Sequence, residues 1–188
     1  MAKVLVPRVL VPLAQGCEEL EAVTIIDLLR RAEIQVITAS LDEKPILASR
    51  GTQLIADTTL DQVLDELFDM VVLPGGLPGA DHLNADPRIH EILKRSVNTD
   101  KYVAAICAAP KVLASAGLLK DKKATAYPGV LESLDNNSVE ITNAAVQQDG
   151  KVLTSRGPGT AMDFALEIIS CLLGEEKRKE VELSLIHI

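Results

Sequence analysis

The chain has 188 residues, 47% of them hydrophobic and only 2% aromatic, and 19 basic against 27 acidic side chains leave it a net charge of −8. A length of this order suits one domain that buries roughly 70% of the surface its unfolded chain exposes, so no disulfide staples are required. The acidic balance, with no basic stripe to break it, excludes nucleic acid as an expected partner, and no apolar run reaches membrane-spanning length.

In chain order, the tetrad Val-Leu-Val-Pro stands at 4–7 and again at 9–12. Proline fits poorly inside a central strand, so residues 1–7 are expected to be partly an added extension, with 183–188 a second such end. Between these ends the whole chain reads as one domain. Strands are predicted at Val9–Leu13, Gln35–Ser40, Met70–Leu73, Tyr102–Ile106, Ala124–Tyr127 and Val152–Thr154, with small hairpin pieces around Ile46–Ile55 and Ile141–Gln148. Helical patterns fall between them at Cys17–Arg31, Asp86–Val97, Pro110–Ala116 and Pro158–Leu173. Asp86 before Pro87 reads as an N-cap followed by a first-turn proline. The mixed-sign run Glu175–Glu182 reads as a solvated helix face. Strands alternating with helices imply βαβ units, hence an α/β fold with a doubly wound, mostly parallel sheet flanked by helices. With so few aromatics, Val, Ile, Leu and Ala must fill its core, as in buried parallel sheets.

Three cysteines, Cys17, Cys107 and Cys171, are too widely spaced for a zinc-ligand pair and too few for a disulfide framework, which points to a reducing compartment. The start of the chain shows no basic region leading into a sustained apolar stretch, so a cytoplasmic location is expected.

Ligands of such sheets sit beyond the carboxyl ends of the strands. Glycine, proline and alanine collect at those positions, in Gln15-Gly16-Cys17, Pro74-Gly75-Gly76, Cys107-Ala108-Ala109-Pro110, Tyr127-Pro128-Gly129 and Ser155-Arg156-Gly157-Pro158. Cys107 has the setting of a nucleophile elbow, a sharp strand-to-helix turn with small neighbours and proline in the first helical turn. Most cysteines are simply small buried hydrophobes, and the flanking residues are what lift this one out of that class. Glu21 heads an apolar helical stripe with Ile25, Leu28 and Leu29, a costly place for a carboxylate unless it is protonated or hydrogen-bonded. Protonated and aimed at Cys107, it would donate to the thiolate and depress the cysteine pKa. Glu18 and Glu19 need no more than the ordinary preference for acids in a first helical turn. Gly75 and Gly76 offer amides for an anion or a carbonyl oxygen, or form a plain tight turn.

The segments Gly16–Glu21, Leu73–Gly76, Ala104–Pro110 and Thr154–Thr160 closely resemble the ThiJ/PfpI superfamily, and within it the DJ-one/YajL-type branch, in order over roughly residues 9 to 182. The resemblance implies a flavodoxin-like fold of the class I glutamine-amidotransferase kind, a homodimer, Cys107 as oxidisable nucleophile and Glu21 as its carboxylic partner. It places Gly75, Gly76 and Ala108 on the oxyanion pocket, and Arg50 where an arginine reaches toward the partner's site. Activities attributed to the branch are glutathione-independent glyoxalase action on small dicarbonyls, deglycation of early adducts on proteins, and redox-regulated chaperoning, none needing a metal or organic cofactor. Tyr127 stands where several members carry a histidine, and phenol is a poor base near neutrality. Ala108 stands where protease-like relatives have histidine, so peptidase and amidotransferase chemistry are not expected. His82, His90 and His187 read as solvated surface residues. Cys17 borders the same turn, as a resolving thiol or a bystander. The residues and the resemblance together point to one of two functions: a cysteine-dependent dicarbonyl-detoxifying enzyme, or a non-catalytic stress sensor or chaperone acting through oxidation of Cys107.

Overall fold

The computed structural model describes residues 6–134 and 138–186. His187 and the first Val-Leu-Val-Pro repeat, but for Val6 and Pro7, lie outside them. The elements run β1 (Arg8–Leu13), α1 (Glu19–Arg31), β2 (Gln35–Ser40), β3 (Ile46–Leu47), β4 (Gln53–Leu54), β5 (Thr58–Thr59), α2 (Leu60–Val63) and β6 (Met70–Leu73). They continue with α3 (Gly79–Ala85), α4 (Pro87–Asn98), β7 (Tyr102–Ile106), α5 (Pro110–Ser115), β8 (Lys123–Ala124) and β9 (Glu140–Ile141). Last come β10 (Val146–Asp149), β11 (Val152–Ser155), a 3-10 turn at Pro158–Thr160, α6 (Ala161–Leu173) and α7 (Glu175–Ser184).

Seven strands form the main sheet in the order β10-β11-β7-β6-β1-β2-β5. All neighbours are parallel except β10, which returns antiparallel along β11. From β1 the chain builds outward through β2 to β5, then crosses back to β6 on the other side. This reversal opens a crevice at the carboxyl ends of β1 and β6, where α/β sheets hold their ligands.

The period-2 alternation of the strands splits the core into two layers. Val9, Val11 and Leu13 of β1, Met70 and Val72 of β6, and Ala104 and Ile106 of β7 pack under α1, α6 and α7. Leu10, Val71, Leu73, Val103 and Ala105 face the other way, toward α2, α3, α4 and α5. Helix α6 explains its long apolar sequence by burying Phe164, Ala165, Leu166, Ile168 and Ile169 in the first layer. Each large side chain so buried contributes about 1.5–3 kcal/mol relative to exposure. Pro12 is tolerated in a central strand because β1 pairs with β6 only at Val9 and Leu10.

Some sequence expectations need correction. The strand expected at Ala124–Tyr127 is only Lys123–Ala124, and it pairs with β9 in a separate two-stranded sheet. Thr125 N–H instead donates to the Thr154 hydroxyl at 2.9 Å, which turns the chain out of strand geometry. Helix α3 is absent from the sequence expectations: only Ala80 and Leu83 of its seven residues supply buried apolar side chains, too short a stripe to show a period. The hairpin near Ile46–Ile55 is present as β3 and β4, paired antiparallel with Ile46 opposite Leu54.

Candidate active site

Cys107 lies between β7 and α5 with a backbone φ of 63°, in the left-handed region that side chains other than glycine and asparagine seldom adopt. The turn is held from both sides. Cys107 N–H donates to Ser155 O at 2.9 Å, and Tyr127 N–H donates to Cys107 O at 2.9 Å. Such a conformation costs of order 1–3 kcal/mol and persists only where surrounding contacts fix it. The residue is 8% exposed.

Three glutamates at the head of α1 take three separate roles. Glu18 caps the helix, its Oε2 accepting Glu21 N–H at 2.8 Å. Glu19 grips the turn after β3, accepting from Arg50 N–H at 3.0 Å, Thr52 N–H at 3.3 Å and Ser49 Oγ at 3.2 Å. Burial alone would raise its pKa, but the N–H groups of its own residue, Arg50 and Thr52 outweigh that and hold it at about 2. Glu21 points inward and is fully buried. Its Oε2 accepts Gly75 N–H at 2.9 Å, while Oε1 is buried with no N–H or O–H donor in reach.

Burial pushes Glu21 up from 4.5 to about 7, against the opposing pull of the Gly75 N–H and the Cys107 thiol. The thiol departs from the sequence expectation of a depressed pKa. Burial first, then the charge of Glu21 and the hydrogen bond with it, push Cys107 up to about 12, opposed by the N–H groups of Gly76 and Ala108. Two of the three raising causes exist only while Glu21 is ionised. A protonated Glu21 loses its charge and becomes a donor, leaving burial alone against the two amides. Acid and thiol thus compete for one proton, and their titration belongs to the pair.

The glycines of the Leu73–Gly76 segment make this approach possible. A Cβ on Gly75 would stand 2.6 Å from Cys107 Cβ and 2.7 Å from Glu21 Oε2, and one on Gly76 would stand 2.4 Å from Glu18 N. Gly76 also has φ +90°. On the far side, a Cβ on Gly157 would be 3.4 Å from the Tyr127 ring and 4.0 Å from Cys107 Sγ. Tyr127 is half-exposed and walls the mouth of the site.

Cys107, Glu21, Gly75, Gly76, Ala108 and Tyr127 therefore meet at one place. The Gly75 N–H is already taken by Glu21, which leaves Gly76 and Ala108 as the amides facing the sulfur. Arg50 stands apart, exposed on the turn that Glu19 holds. Ser155 and Gly157, which are not among the expected site residues, support the turn and its mouth; their signal in the sequence is their place in the Thr154–Thr160 segment. His82 is exposed, with Nδ1 2.9 Å from Gln15 O, and His90 Nε2 is 2.8 Å from Asn84 O, so neither serves Cys107. Cys17 is fully buried, and burial pushes its thiol up to about 12. All three cysteines are free, and no metal-holding cluster occurs among the described residues. No helix among them is long and apolar enough to cross a membrane.

A doubly wound sheet with a cysteine on a strained turn, a buried carboxyl beside it and glycine amides around it defines a class of α/β proteins whose site is built around one cysteine. Residues 7–171 match the DJ-1/PfpI family, and the chain belongs to that family. It is 43% identical to Protein dj-1beta of Drosophila melanogaster, covering 94% of this chain and 95% of that protein. The crystal structure of that Drosophila protein superposes with a TM-score of 0.93 at 41% identity over 97% of this chain and 98% of the other. The chain is 44% identical to Protein DJ-1 homolog B of Arabidopsis thaliana over 91% of its own length but spans only 39% of that relative. It is 34% identical to the Glutathione-independent glyoxalase DJR-1.2 of Caenorhabditis elegans over 87% of each chain. A structure of oxidized Toxoplasma gondii DJ-1 matches with a TM-score of 0.90 at 38% identity, covering 96% of this chain and 98% of that one.

Proposed function

We propose that this protein is a cytoplasmic, cysteine-dependent enzyme that converts small dicarbonyls such as methylglyoxal to hydroxy acids. The observation that supports it is the convergence of Cys107, the carboxyl of Glu21 that competes with it for one proton, and the amides of Gly76 and Ala108. The relative named a glutathione-independent glyoxalase lends the substrate class.

In this reading Cys107 Sγ adds to the aldehyde carbon of methylglyoxal, and the carbonyl oxygen, held by the two amides, takes up the proton to give a hemithioacetal. Glu21, now ionised, removes the hydrogen from the former aldehyde carbon. It returns that proton to the neighbouring carbon as electrons pass through an enediol, giving a lactoyl thioester. Water hydrolyses the thioester, releasing lactate and the thiol; the sum is methylglyoxal plus water to lactic acid. No outside oxidant or reductant enters. The same thiol addition to glycated amines or thiols would give deglycase action. Lactate formation from methylglyoxal by wild-type and Cys107→Ser protein tests the proposal, and equal rates would end it.

A second reading is favoured by Tyr127, which puts a phenol where an imidazole base is expected, and by the oxidised state of the Toxoplasma relative. Here peroxide converts Cys107 to a sulfinate and the new charge alters stability or client binding, as a sensor or chaperone. A homodimer, with Arg50 reaching the partner's site, is also proposed. Exposed Leu20 and Val23 on α1 and Leu47 on β3 supply an apolar face beside Arg50 for it. Three free cysteines suit the reducing compartment assumed.

A further inference from the structure

A cavity away from Cys107 lies beyond the carboxyl ends of β1 and β2. Its volume is about 550 Å³, within the range of roughly 300–1,000 Å³ for small-molecule sites. Leu13, Ile46 and Pro87 give it an apolar lining, and Ser40, Asp42 and His82 are among its polar walls.

The hydrogen-bond accounts of those walls decide what the cavity can hold. Each side-chain donor group lining it makes at least one hydrogen bond within the protein. Arg88, the cation among them, uses all three guanidinium nitrogens, on Asp86, on Asp61 and on Leu41 O. Gln15 Nε2 donates to Pro45 O at 3.0 Å, and Ser40 Oγ donates to Asp42 O. The acceptors are not all engaged. His82 sits with Nδ1 2.9 Å from Gln15 O, and a carbonyl can only accept, so Nδ1 carries the hydrogen. In the neutral ring Nε2 is then a lone-pair acceptor with no partner among the described residues. Asp42 accepts Lys44 N–H through Oδ1 at 2.9 Å, and its Oδ2 has no partner there. Arg88 is outnumbered by Asp86 and Asp61, and Asp42 adds a carboxylate with no cation paired to it among the described residues, so the rim is net negative.

We infer that this cavity is a binding site for a small organic amine, whose ammonium meets Asp42 and His82 and whose apolar body lies on Leu13, Ile46 and Pro87. Phosphates and carboxylates are disfavoured, because the one cation on the lining is already paired with carboxylates and the uncompensated charge is negative. The site owes nothing to the thiol chemistry and stands or falls separately from it.

The probe pair benzylamine and benzoate shares one ring and differs in charge. Amide spectra of the ¹⁵N-labelled wild-type protein at pH 7.5 are expected to show saturable shifts with benzylamine at Gln15, Leu41, Asp42, His82 and Ala85, and no saturable shift there with benzoate. Asp42→Asn keeps the acceptor for Lys44 N–H and the fold, and is expected to weaken benzylamine by about threefold or more, as loss of a surface charge contact does. His82→Leu is expected to weaken it as well. Non-saturating shifts, equal shifts with benzoate, shifts centred elsewhere, or unchanged benzylamine affinity in Asp42→Asn would each overturn the inference.

Discussion

Glu21 lies against the Cys107 thiol inside the protein, and when it is ionised its charge is second only to burial among the causes that push that thiol up to about 12. Reactivity near neutrality therefore depends on which of the two groups holds the single proton. The wild-type alkylation rate at Cys107, with an uncharged reagent, should rise with pH through about 7 as the pair loses its first proton. It should then level off, and rise again only in strongly alkaline solution. In Glu21→Gln the carboxylate charge is absent, so one transition remains, below the alkaline one of the wild type. A single wild-type transition at an ordinary cysteine value would show that the two groups do not share a proton.

Stability should carry the mark of the same carboxyl. Glu21 has a folded pKa of about 7, above its ordinary 4.5, so the folded state keeps a proton that the unfolded state releases. The cost is absent below about pH 4.5, grows as pH rises, and is complete above about 7, with an upper bound of about 3 kcal/mol. Asp57, Asp69 and Asp86 act oppositely: burial opposes each shift, but hydrogen bonds led by Thr38, Lys101 and Arg88 respectively hold them below 3.8. Their contribution is present above the ordinary carboxylate range and lost in acid. Wild-type stability should thus peak at about pH 4–5. Glu21→Gln should flatten the decline above pH 5, as read from denaturant midpoints across pH. A parallel decline in the variant would assign it to other groups.

Much of this is legible in the sequence because strand ends in an α/β sheet announce themselves. The runs at Val9–Leu13, Met70–Leu73 and Tyr102–Ile106 carry enough apolar residues to fix their strands, and the turns at their carboxyl ends must lie along the same edge. That logic brings Glu21, Gly75, Gly76 and Cys107 together. It cannot show the balance of forces on the sulfur, because burial of Cys107 is set by Gly157, Tyr127 and Ser155, which arrive from distant parts of the chain. It sets Glu21 apart by its apolar stripe, but it cannot separate Glu19 from Glu18: both are acids in a first turn, and only the position of the Arg50–Thr52 turn makes one a surface clamp. The strand expected at Ala124–Tyr127 is misplaced in extent and sheet because β-propensity does not say which sheet a short strand joins.

Gly75 is where packing and chemistry meet most tightly. Gly75→Ala would put a methyl 2.6 Å from Cys107 Cβ and 2.7 Å from Glu21 Oε2, so one of the two must move. Overpacking of this kind costs about 1–3 kcal/mol, and the thermal midpoint should drop accordingly. Dicarbonyl turnover, which needs the acid and the sulfur in contact, should fall by about 100-fold or more, the usual contribution of general acid–base catalysis. An alanine variant with native stability and native turnover would mean that the approach of Glu21 to Cys107 serves neither.

The three cysteines offer a competition between access and environment. Cys171 is the more accessible, half-buried on α6, while Cys107 is 8% exposed and Cys17 is fully buried. Access alone would send peroxide to Cys171 first. Yet Cys171 has no amide donor among the described residues, and burial and then the charge of Glu167 push it up to about 11. Cys17 faces burial and the charges of Glu19 and Glu18. Only Cys107 has two N–H groups aimed at its sulfur, Gly76 and Ala108, beside a carboxyl that can take up or return a proton. Those donors stabilise the thiolate that attacks peroxide and the sulfinate oxygens that result. Peptide mass spectrometry after mild peroxide should therefore find Cys107 as sulfinate before Cys171 is changed, with Cys17 intact until the protein unfolds. Modification of Cys171 ahead of Cys107 would mean that exposure outweighs the amides and the acid, and the sensor reading would lose its basis.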